Sequence, residues 1–237
     1  MIKINNVCKS FETYSGTKKA LQNVSLQIND GECTIIGGEN GSGKSVLMSI
    51  IAGLETTDSG TIENQDRVGL VFQEAETQIL GETPREDIAF GPKNLKFPKS
   101  KIEENVRSAL EKTGLTQKAD FPARFLSGGE KRRLAIACML AMENPVIILD
   151  EPYANLDFSG VKQVNALIKS LKNQKTTIVI LTHEIEKCLG LADKFIVLFR
   201  GQKVFDDKPE KALETNLEKW NIKNPLTSYT KLQDLVW

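Results

Sequence analysis

The fold of this chain is decided by the stretch Gly38-Glu39-Asn40-Gly41-Ser42-Gly43-Lys44-Ser45. It matches the pattern G-x-x-x-x-G-K-[ST] and stands between a short apolar run, residues 34–36, and a helix-like stretch over residues 44–52. The glycines let the backbone curl so that its N–H groups point at phosphate oxygens, and the helix start adds partial positive charge. Lys44 would reach the β- and γ-phosphates of a nucleotide, and Ser45 would hold Mg²⁺. A chance glycine-rich turn gives no packing reason for this lysine and serine, so we interpret the stretch as a phosphate-binding loop.

Apolar strands and amphipathic helices alternate along the chain after this loop. Apolar runs predict buried strands at residues 68–72, 146–149, 177–181 and 195–199. Helical patterns lie between them, over residues 130–142 and 161–171. Buried strands that alternate with helices indicate a mostly parallel sheet covered on both faces. The sequence therefore predicts an α/β fold with a P-loop NTPase core.

Other parts of the chain differ from this pattern. Residues 2–7 and 21–28 alternate apolar and polar side chains, which favours an N-terminal antiparallel β part. The charged, proline-containing middle predicts a small helical insert, with a capping box at Ser100 and Glu103. The helical stripe behind that cap consists of Ile102, Val106, Ala109 and Leu110.

We therefore divide the chain into a discontinuous core and additions to it. Residues 1–73 and 126–207 form the predicted ATPase core, and residues 74–125 form the helical insert between them. Residues 208–237 form a short C-terminal tail, a candidate contact for a dimer or another partner. The apolar side chains at the end of the tail are Leu232, Leu235, Val236 and Trp237.

The composition is that of an ordinary globular protein. Of the 237 residues 40% are apolar and 26% charged, and 31 basic side chains balance 31 acidic ones. A zero net charge argues against a nucleic-acid binder that relies on a global positive field. Four scattered cysteines and a single histidine disfavour a structural zinc site. Because we find neither a signal-peptide pattern nor a long apolar span, we expect a cytoplasmic chain whose membrane role comes through a partner.

Two carboxylates follow one of the predicted buried strands. Asp150 and Glu151 come directly after the apolar residues 146–149. They should therefore emerge at the carboxyl end of a strand, the edge at which open α/β sheets bind ligands. Asp150 would ligate Mg²⁺, and Glu151 could polarise the attacking water. The alternative is a pair of solvated loop acids.

A second glycine-rich stretch, Leu126-Ser127-Gly128-Gly129-Glu130, precedes a helix. Taken alone, it is as well explained by an ordinary helix cap as by a site for an anion. A single nucleotide has no obvious need of two distant phosphate cradles in one chain.

These motifs, taken together, resemble those of the ATPase subunits of ABC transporters, over roughly residues 2–205. The matching features, in the family's order, are GENGSGKS, Gln73, LSGGE, VIILDE, Asp157 and His183. In that family two subunits dock head to tail, and the signature of each closes over the ATP of the other. The resemblance implies ATP and Mg²⁺ as ligands and a second ABC ATPase subunit, identical or homologous, as partner. It also explains the second cradle, which would act in trans.

The resemblance implies roles for individual side chains. Gln73 looks like the Q-loop residue that contacts Mg²⁺ and reports to the transmembrane partner. His183 looks like the switch histidine that contacts the γ-phosphate and orients Glu151, which makes these two the catalytic pair. Phe11 lies where the family stacks an aromatic ring on adenine, and Tyr14 is its rival.

The implied contacts fall into three sets. The ATP-binding residues are Phe11, Gly38, Glu39, Asn40, Gly41, Ser42, Gly43, Lys44, Ser45 and Gln73. The residues that contact the partner's ATP through the signature and the D-loop are Ser127, Gly128, Gly129, Glu130 and Asp157. The Mg²⁺ ligands are Ser45, Gln73 and Asp150.

A narrower resemblance is to the energy-coupling-factor and cobalt-importer ATPases. It rests on residues 87–92 (DIAFGP), residues 130–137 (EKRRLAIA) and residues 222–226 (IKNPL). The chain departs from the family's common residues at Tyr153, Asn155, Phe158 and Glu130. These departures leave the rate and the choice of partner open, whereas the ATPase class is unaffected.

Two functions remain after these comparisons of motifs. The first is the ATPase of a vitamin or metal-ion importer, at the cytoplasmic face of the membrane. Its partners would be the second ATPase, a transmembrane coupling protein and a substrate-binding membrane subunit. The second is a soluble ABC ATPase without a membrane partner, for example one used in cluster assembly, which residues 87–92 disfavour.

Overall fold

The computed structural model describes residues 1–14, 16–64, 66–227 and 230. The strands are β1 (Ile2–Thr13), β2 (Gly16–Ile28), β3 (Cys33–Gly37), β4 (Ser59–Asn64), β5 (Val68–Val71), β6 (Val146–Asp150), β7 (Thr177–Thr182), β8 (Lys194–Phe199) and β9 (Gln202–Asp207). The α-helices are α1 (Lys44–Ile51), α2 (Pro84–Asn94), α3 (Lys99–Lys112), α4 (Gly128–Ala141), α5 (Phe158–Asn173) and α6 (Pro209–Leu213). In these ranges no helix has both the length and the apolar character needed to cross a bilayer.

A six-stranded sheet forms the centre of the fold, in the order β5-β6-β7-β3-β8-β9. The pairs from β5 to β8 are parallel, and β9 is added antiparallel to β8. The predicted mostly parallel sheet is thus confirmed. Strand β9 was not predicted, because the half-exposed side chains of residues 202–207 give no apolar run.

A separate antiparallel sheet, in the order β2-β1-β4, forms the N-terminal β part. The apolar side chains of the central sheet are divided between two buried clusters, and those of the N-terminal sheet belong to one of the two. In β3, for example, Cys33 and Ile35 belong to one cluster and Ile36 to the other, because side chains alternate across a strand. Helix α1 packs in the cluster that holds the N-terminal sheet, and α4 and α5 pack in the other. The central sheet is therefore covered on both faces.

The segment between β5 and α4 is helical, and its apolar side chains form a third cluster. In α3 the predicted stripe is buried at Val106, Ala109 and Leu110. Part of α4 completes the same cluster through Leu134 and Ala137. Helix α4 therefore packs against both the insert and the core, and it links the two.

The predicted capping box at Ser100 is wrong. Helix α3 begins at Lys99 with Pro98 as its N-cap, so Ser100 lies inside the first turn and makes no cap. Proline at this boundary already has the backbone conformation that leads into a helix. A side-chain cap that we did not predict occurs at α2, where Thr83 Oγ1 accepts a hydrogen bond from the Glu86 backbone N–H at 3.3 Å.

The tail packs on the core as far as it is described. Ala212, Leu217 and Ile222 are buried in the same cluster as α5, and the Trp220 ring lies 6.1 Å from that of Phe205 in β9. The apolar side chains predicted at the end of the tail lie outside the described residues.

Candidate nucleotide-binding site

The phosphate-binding loop joins β3 to α1 and is closely packed. Lys44 is only 5% exposed, and its Nζ donates hydrogen bonds to the carbonyl oxygens of Gly38 at 2.7 Å and Glu39 at 3.1 Å. Gly38 has a φ of 153°, and a Cβ there would lie 2.2 Å from the carbonyl oxygen of Leu198. Only glycine fits this position, which lets the loop turn back over the lysine.

A cavity of about 210 Å³ opens beside this loop. Its lining includes Phe11 and Lys18 from the N-terminal sheet, and Gln73 and Glu151 from the edge of the central sheet. Phe11 and Lys18 are directly opposite each other in the β1–β2 pair. Tyr14, the rival aromatic, is fully exposed. Phe11 therefore stands where an adenine ring bound at this loop could stack.

Asp150 and Ser45 meet at the end of β6. The Ser45 hydroxyl donates a hydrogen bond to Asp150 Oδ2 at 3.2 Å. Asp150 is 6% exposed, and among the described residues its buried Oδ1 has no hydrogen-bond partner. Burial raises the pKa of this carboxyl, although the Ser45 hydroxyl, Lys44 and Arg132 oppose the shift. An orphaned carboxylate oxygen next to a hydroxyl fits a hard cation such as Mg²⁺, which prefers oxygen ligands.

Glu151 is held more tightly than Asp150, although it belongs to a turn. Its carboxylate accepts a hydrogen bond from the Thr182 hydroxyl at 2.9 Å, and His183 Nδ1 lies 2.9 Å from its Oε1. The backbone N–H of His183 also donates to it, at 3.2 Å. Lys44 Nζ is 3.8 Å from the same oxygen. The φ of Glu151 is 44°, a left-handed conformation that costs a non-glycine residue about 1 kcal/mol. Its position is therefore fixed from both the backbone and the side chain.

The backbone after β5 is pinned from two directions. Arg132, buried on α4, donates hydrogen bonds to the carbonyl oxygens of Phe72 at 2.5 Å and Gln73 at 2.6 Å. The Gln78 side chain accepts from the N–H of Phe72 at 2.8 Å and donates to the carbonyl oxygen of Leu70 at 2.9 Å. The Gln73 side chain itself is exposed and free to meet a ligand.

The second glycine-rich stretch starts α4 with a complete capping box. Ser127 Oγ accepts from the N–H of Glu130 at 3.3 Å, and Glu130 Oε2 accepts from the N–H of Ser127 at 2.9 Å. The other oxygen of Glu130 pairs with Lys118 at 2.5 Å. The Glu130 side chain thus has its partners within the chain, whereas Ser127 and Gly128 are exposed.

An open groove lies in front of this helix start. It is lined by residues 127–130 and by Asp157, whose side chain caps α5 by accepting from the N–H of Gly160 at 2.7 Å. The described lining of this groove includes no residue of the phosphate-binding loop. The two anion cradles therefore lie on separate surfaces of one chain.

The family model for ABC transporters matches residues 21–154. The chain belongs to the ABC transporter family. The EcfA2 energy-coupling factor transporter ATP-binding protein of Thermotoga maritima is 38% identical over 90% of this chain and 85% of its own length. EcfA2 of Methanospirillum hungatei is 35% identical and longer, so that the chain spans 58% of it.

Solved structures agree with this assignment. The cbiO1 protein of Clostridium perfringens, part of the ABC transporter complex cbiONQ, superposes with a TM-score of 0.81 at 31% identity and covers 90% of each chain. The ATP-binding cassette MJ0796, as a dimer bound to ADP and Pi, superposes with a TM-score of 0.78 at 28% identity, over 88% of this chain and 99% of that one. As a member of this family the chain is an ATP-binding ATPase, and the predicted fold and family are confirmed.

The ABC site in this chain gathers most of the predicted residues. One cavity is lined by Phe11, Asn40, Gly41, Gly43, Lys44, Ser45, Gln73 and Glu151. Asp150 contacts Ser45 at the end of β6, and His183 lies against Glu151. The signature and Asp157 share the other groove. The individual roles given to these side chains stay predictions.

Some residues that shape the ABC site were not predicted. Arg132 has a typical helical position in the sequence, and only folding brings it to a carbonyl 60 residues away. Lys18 was not predicted either, because its place beside the loop depends on the pairing of β1 with β2. Thr182 was not predicted as a site residue, yet its hydroxyl donates a hydrogen bond to Glu151 at 2.9 Å and orients it.

Proposed function

We propose that this chain is the ATP-hydrolysing subunit of an energy-coupling-factor type importer for a small solute, a vitamin or a metal ion. The observation that carries the proposal is the similarity to EcfA proteins and to cbiO1 over 90% of the chain. The stretch DIAFGP, which forms the body of α2, supports the same branch. Its partners are a second ABC ATPase, a transmembrane coupling protein and a substrate-binding membrane subunit. The chain then works as a peripheral subunit at the cytoplasmic face of the membrane.

Binding of ATP begins at the phosphate-binding loop. The Lys44 ammonium exchanges carbonyl partners for the β- and γ-phosphates, which are stronger acceptors because they are charged. Burial lowers the pKa of Lys44, and the nearby carboxylates of Glu151 and Asp150 counter this effect. A bound triphosphate adds more negative charge and so favours the protonated lysine. Phe11 stacks on the base.

Asp150, Ser45 and Gln73 are the residues that would hold Mg²⁺. When bound, the ion neutralises charge on the phosphates and polarises the bond that breaks. The chain's own contribution is to present oxygen atoms, of which the buried Asp150 Oδ1 has no other described partner.

Glu151 acts as the general base of hydrolysis. It accepts a proton from the attacking water while the hydroxyl of Thr182 and the backbone N–H of His183 keep its carboxylate aimed. The His183 ring contacts the γ-phosphate and orients the same carboxylate. Water attack breaks the bond to the γ-phosphate and leaves ADP and phosphate.

The signature groove closes the site from a second subunit. Ser127 and Gly129 cover the partner's ATP, and Asp157 lies at the same interface. Ser127 is exposed, and the described lining of its groove includes no residue of the phosphate-binding loop, which supports action in trans.

Purification of the tagged chain from detergent-solubilised membranes tests the function. We expect membrane proteins with several spans to copurify, and solute uptake in cells to depend on the carboxylate of Glu151. A chain that stays in the soluble fraction with only soluble partners, and whose loss leaves uptake unchanged, would support the cluster-assembly alternative. The similarity to transporter subunits disfavours that outcome.

A further inference from the structure

A residue of the C-terminal tail touches the phosphate-binding loop. Asn221 Nδ2 donates a hydrogen bond to Glu39 Oε2 at 2.7 Å, across 182 positions of the sequence. Asn221 has a φ of 57°, in the left-handed region that asparagine tolerates better than most residues. The buried side chains of Leu217 and Ile222 on either side fix the tail to the core. The amide of Asn221 is therefore presented from an anchored segment.

Glu39 is fixed to the loop by its backbone as well as by this amide. Its carbonyl oxygen accepts one hydrogen bond from Lys44 Nζ at 3.1 Å and another from the Ser42 N–H at 3.2 Å. The neighbouring Gly38 carbonyl accepts the second bond from Lys44. Asn221 thus contacts Glu39, the residue whose carbonyl oxygen accepts two hydrogen bonds from within the loop.

We propose that Asn221 is a positioning residue that holds Glu39, and with it the first half of the phosphate-binding loop, in the conformation that binds ATP. Docking of the tail then sets the affinity for the nucleotide. The inference rests on the proposed role of the loop in binding the ATP phosphates.

Two physical effects give Asn221 this role. The hydrogen bond restricts the rotamers of Glu39 and so reduces the entropy that the loop loses when phosphates bind. It also keeps a carboxylate engaged with a donor on the tail. Without that donor the Glu39 carboxylate is a mobile negative charge next to a site for anions, where like charges repel.

The sharpest test exchanges the two groups in this hydrogen bond. Asn221→Asp keeps the size of the side chain and the tolerance for a left-handed φ, but it sets a carboxylate against Glu39. Adding Glu39→Gln to it reverses the pair, since a glutamine amide can donate to an aspartate. Asn224→Asp is the matched control, because it adds the same charge to the tail at a side chain that contacts the tail itself, through the Leu226 N–H and the Leu213 carbonyl.

The measurements are the Kd for Mg-ATP, by titration calorimetry on the isolated chain, and the Tm without nucleotide. We expect Asn221→Asp to raise the Kd by roughly three- to tenfold, the scale on which a single hydrogen bond and an exposed charge act. The reversed pair should recover most of the affinity, and Asn224→Asp should bind like the wild type. A residue that only stabilises the fold would change the Tm without this pattern in the Kd.

Two further variants separate the possible failures. Asn221→Gly keeps the left-handed φ and removes the amide, so it should also weaken binding if the aspartate variant does not fold. Lys44→Ala is the reference for the loop. If Lys44→Ala weakens ATP binding while Asn221→Asp and Asn221→Gly bind like the wild type, the role of Asn221 is wrong and the proposed site stands. If Asn224→Asp weakens binding as much as Asn221→Asp, the effect is one of charge alone and the inference is also wrong. If Lys44→Ala binds ATP normally, the proposed site itself fails.

Discussion

Two helix starts in this molecule carry glycine-rich stretches that we predict to bind phosphate, and the two stretches are built in opposite ways. At the start of α1 two charged side chains are buried, Lys44 at 5% and Glu151 at 6% exposure, and their charged groups lie 3.8 Å apart. At the start of α4 Ser127 and Gly128 face solvent, and the groove before them is open. The hydrogen bonds of the second cradle satisfy only its own helix.

The contrast indicates which half of the chemistry one chain can perform. A buried lysine among carboxylates and carbonyls is already arranged for a charged ligand, because its ammonium is held in place by hydrogen bonds within the loop. The exposed serine and glycine of the second stretch are open to water, and the described lining of their groove includes no residue of the loop. Such a surface gains its function when a second chain covers it. In the proposed function the chain therefore contributes its phosphate-binding side to one site and its signature to the site of a partner.

The largest effect on hydrolysis should come from the Glu151 carboxylate on the phosphate-binding side. Glu151→Gln keeps an oxygen that can accept from Thr182 and His183 but removes the base, so ATP should bind with near wild-type affinity. Hydrolysis by the assembled transporter should fall by a factor on the order of 10²–10⁴. Calorimetry and phosphate release measure the two quantities.

A neighbouring carboxylate provides the control for this variant. Glu184 directly follows His183 in the sequence but pairs with Lys187, so Glu184→Gln should hydrolyse ATP like the wild type. Near wild-type turnover of Glu151→Gln would remove Glu151 from the catalytic role.

A negative charge placed at Gly129 in the signature should impair the proposed contact with the partner's ATP. A Cβ at Gly129 would meet Arg133 at 3.8 Å, which is ordinary contact, so Gly129→Asp should fold. We expect the isolated chain to bind ATP normally. Hydrolysis in the dimer should fall on the order of 100-fold, because the new carboxylate faces the partner's γ-phosphate. Gly190→Asp adds the same charge at an exposed glycine whose Cβ would lie more than 4 Å from the heavy atoms compared among the described residues, and it should be silent.

Mixed dimers decide whether the signature acts in trans, provided that the chain pairs with itself. Gly129→Asp mixed with Lys44→Ala leaves one composite site with both lesions and one site with an intact loop and an intact signature. Partial recovery of ATPase activity supports trans action. Loss of ATP binding by the isolated Gly129→Asp chain would instead mean that the signature works in cis.

The contrast between the two cradles also marks the limit of what the sequence predicts. The phosphate-binding loop and the buried strand before Asp150 could be predicted because each is a local pattern with one physical explanation. The signature could be located, but in the sequence it is indistinguishable from a helix cap, and in the fold it is in fact a cap as well. Its assignment to a second subunit came from the resemblance to a family.

What could not be predicted depends on contacts between distant residues. The bond of Arg132 to the Gln73 carbonyl and that of Asn221 to Glu39 join segments 59 and 182 positions apart. No local pattern encodes either of them. The error at Ser100 is of another kind, because proline at 98 competes with serine for the same helix boundary and wins.

On the phosphate-binding side, removal of the buried charge of Asp150 should increase the stability of the fold and impair its function. Burial raises the pKa of Asp150, so the folded chain without ligand disfavours its charged form. Asp150→Asn should therefore raise the free energy of unfolding without nucleotide by about 1–2 kcal/mol at neutral pH, the upper part of the range for stabilising substitutions. It should also abolish the additional stabilisation that the protein gains from ATP with Mg²⁺ compared with ATP alone.

The pH dependence of the stability advantage of Asp150→Asn follows from the direction in which the pKa of Asp150 is shifted. A carboxyl with a raised pKa costs the fold most above that pKa, and the cost disappears as the wild-type carboxyl protonates at lower pH. The advantage of Asp150→Asn in denaturant melts should thus shrink as the pH falls through the raised pKa of the folded carboxyl toward its ordinary value. An advantage that grows in acid would contradict the assignment of a raised pKa.

The smallest effect compares two helix caps whose hydroxyl hydrogen bonds have the same length. Ser127 caps α4 and Thr83 caps α2, and each hydroxyl accepts a backbone N–H at 3.3 Å. Removal of either hydroxyl should cost about 1 kcal/mol in the free energy of unfolding of the isolated chain, since a lost cap is the only change there. Chemical denaturation of Ser127→Ala and Thr83→Ala measures this cost.

The activities of Ser127→Ala and Thr83→Ala should differ only in the assembled transporter, where the signature faces a partner subunit. In the isolated chain neither hydroxyl lies in the cavity beside the phosphate-binding loop, so the Kd for ATP should stay at the wild-type value in both. In the assembled transporter Ser127→Ala also removes a donor to the partner's nucleotide, and hydrolysis should fall several-fold, by the roughly 1 kcal/mol that one hydrogen bond is worth. Thr83→Ala should keep its activity once the measurement is made well below its Tm. Equal loss of activity in the two variants would mean that Ser127 is a helix cap and nothing more.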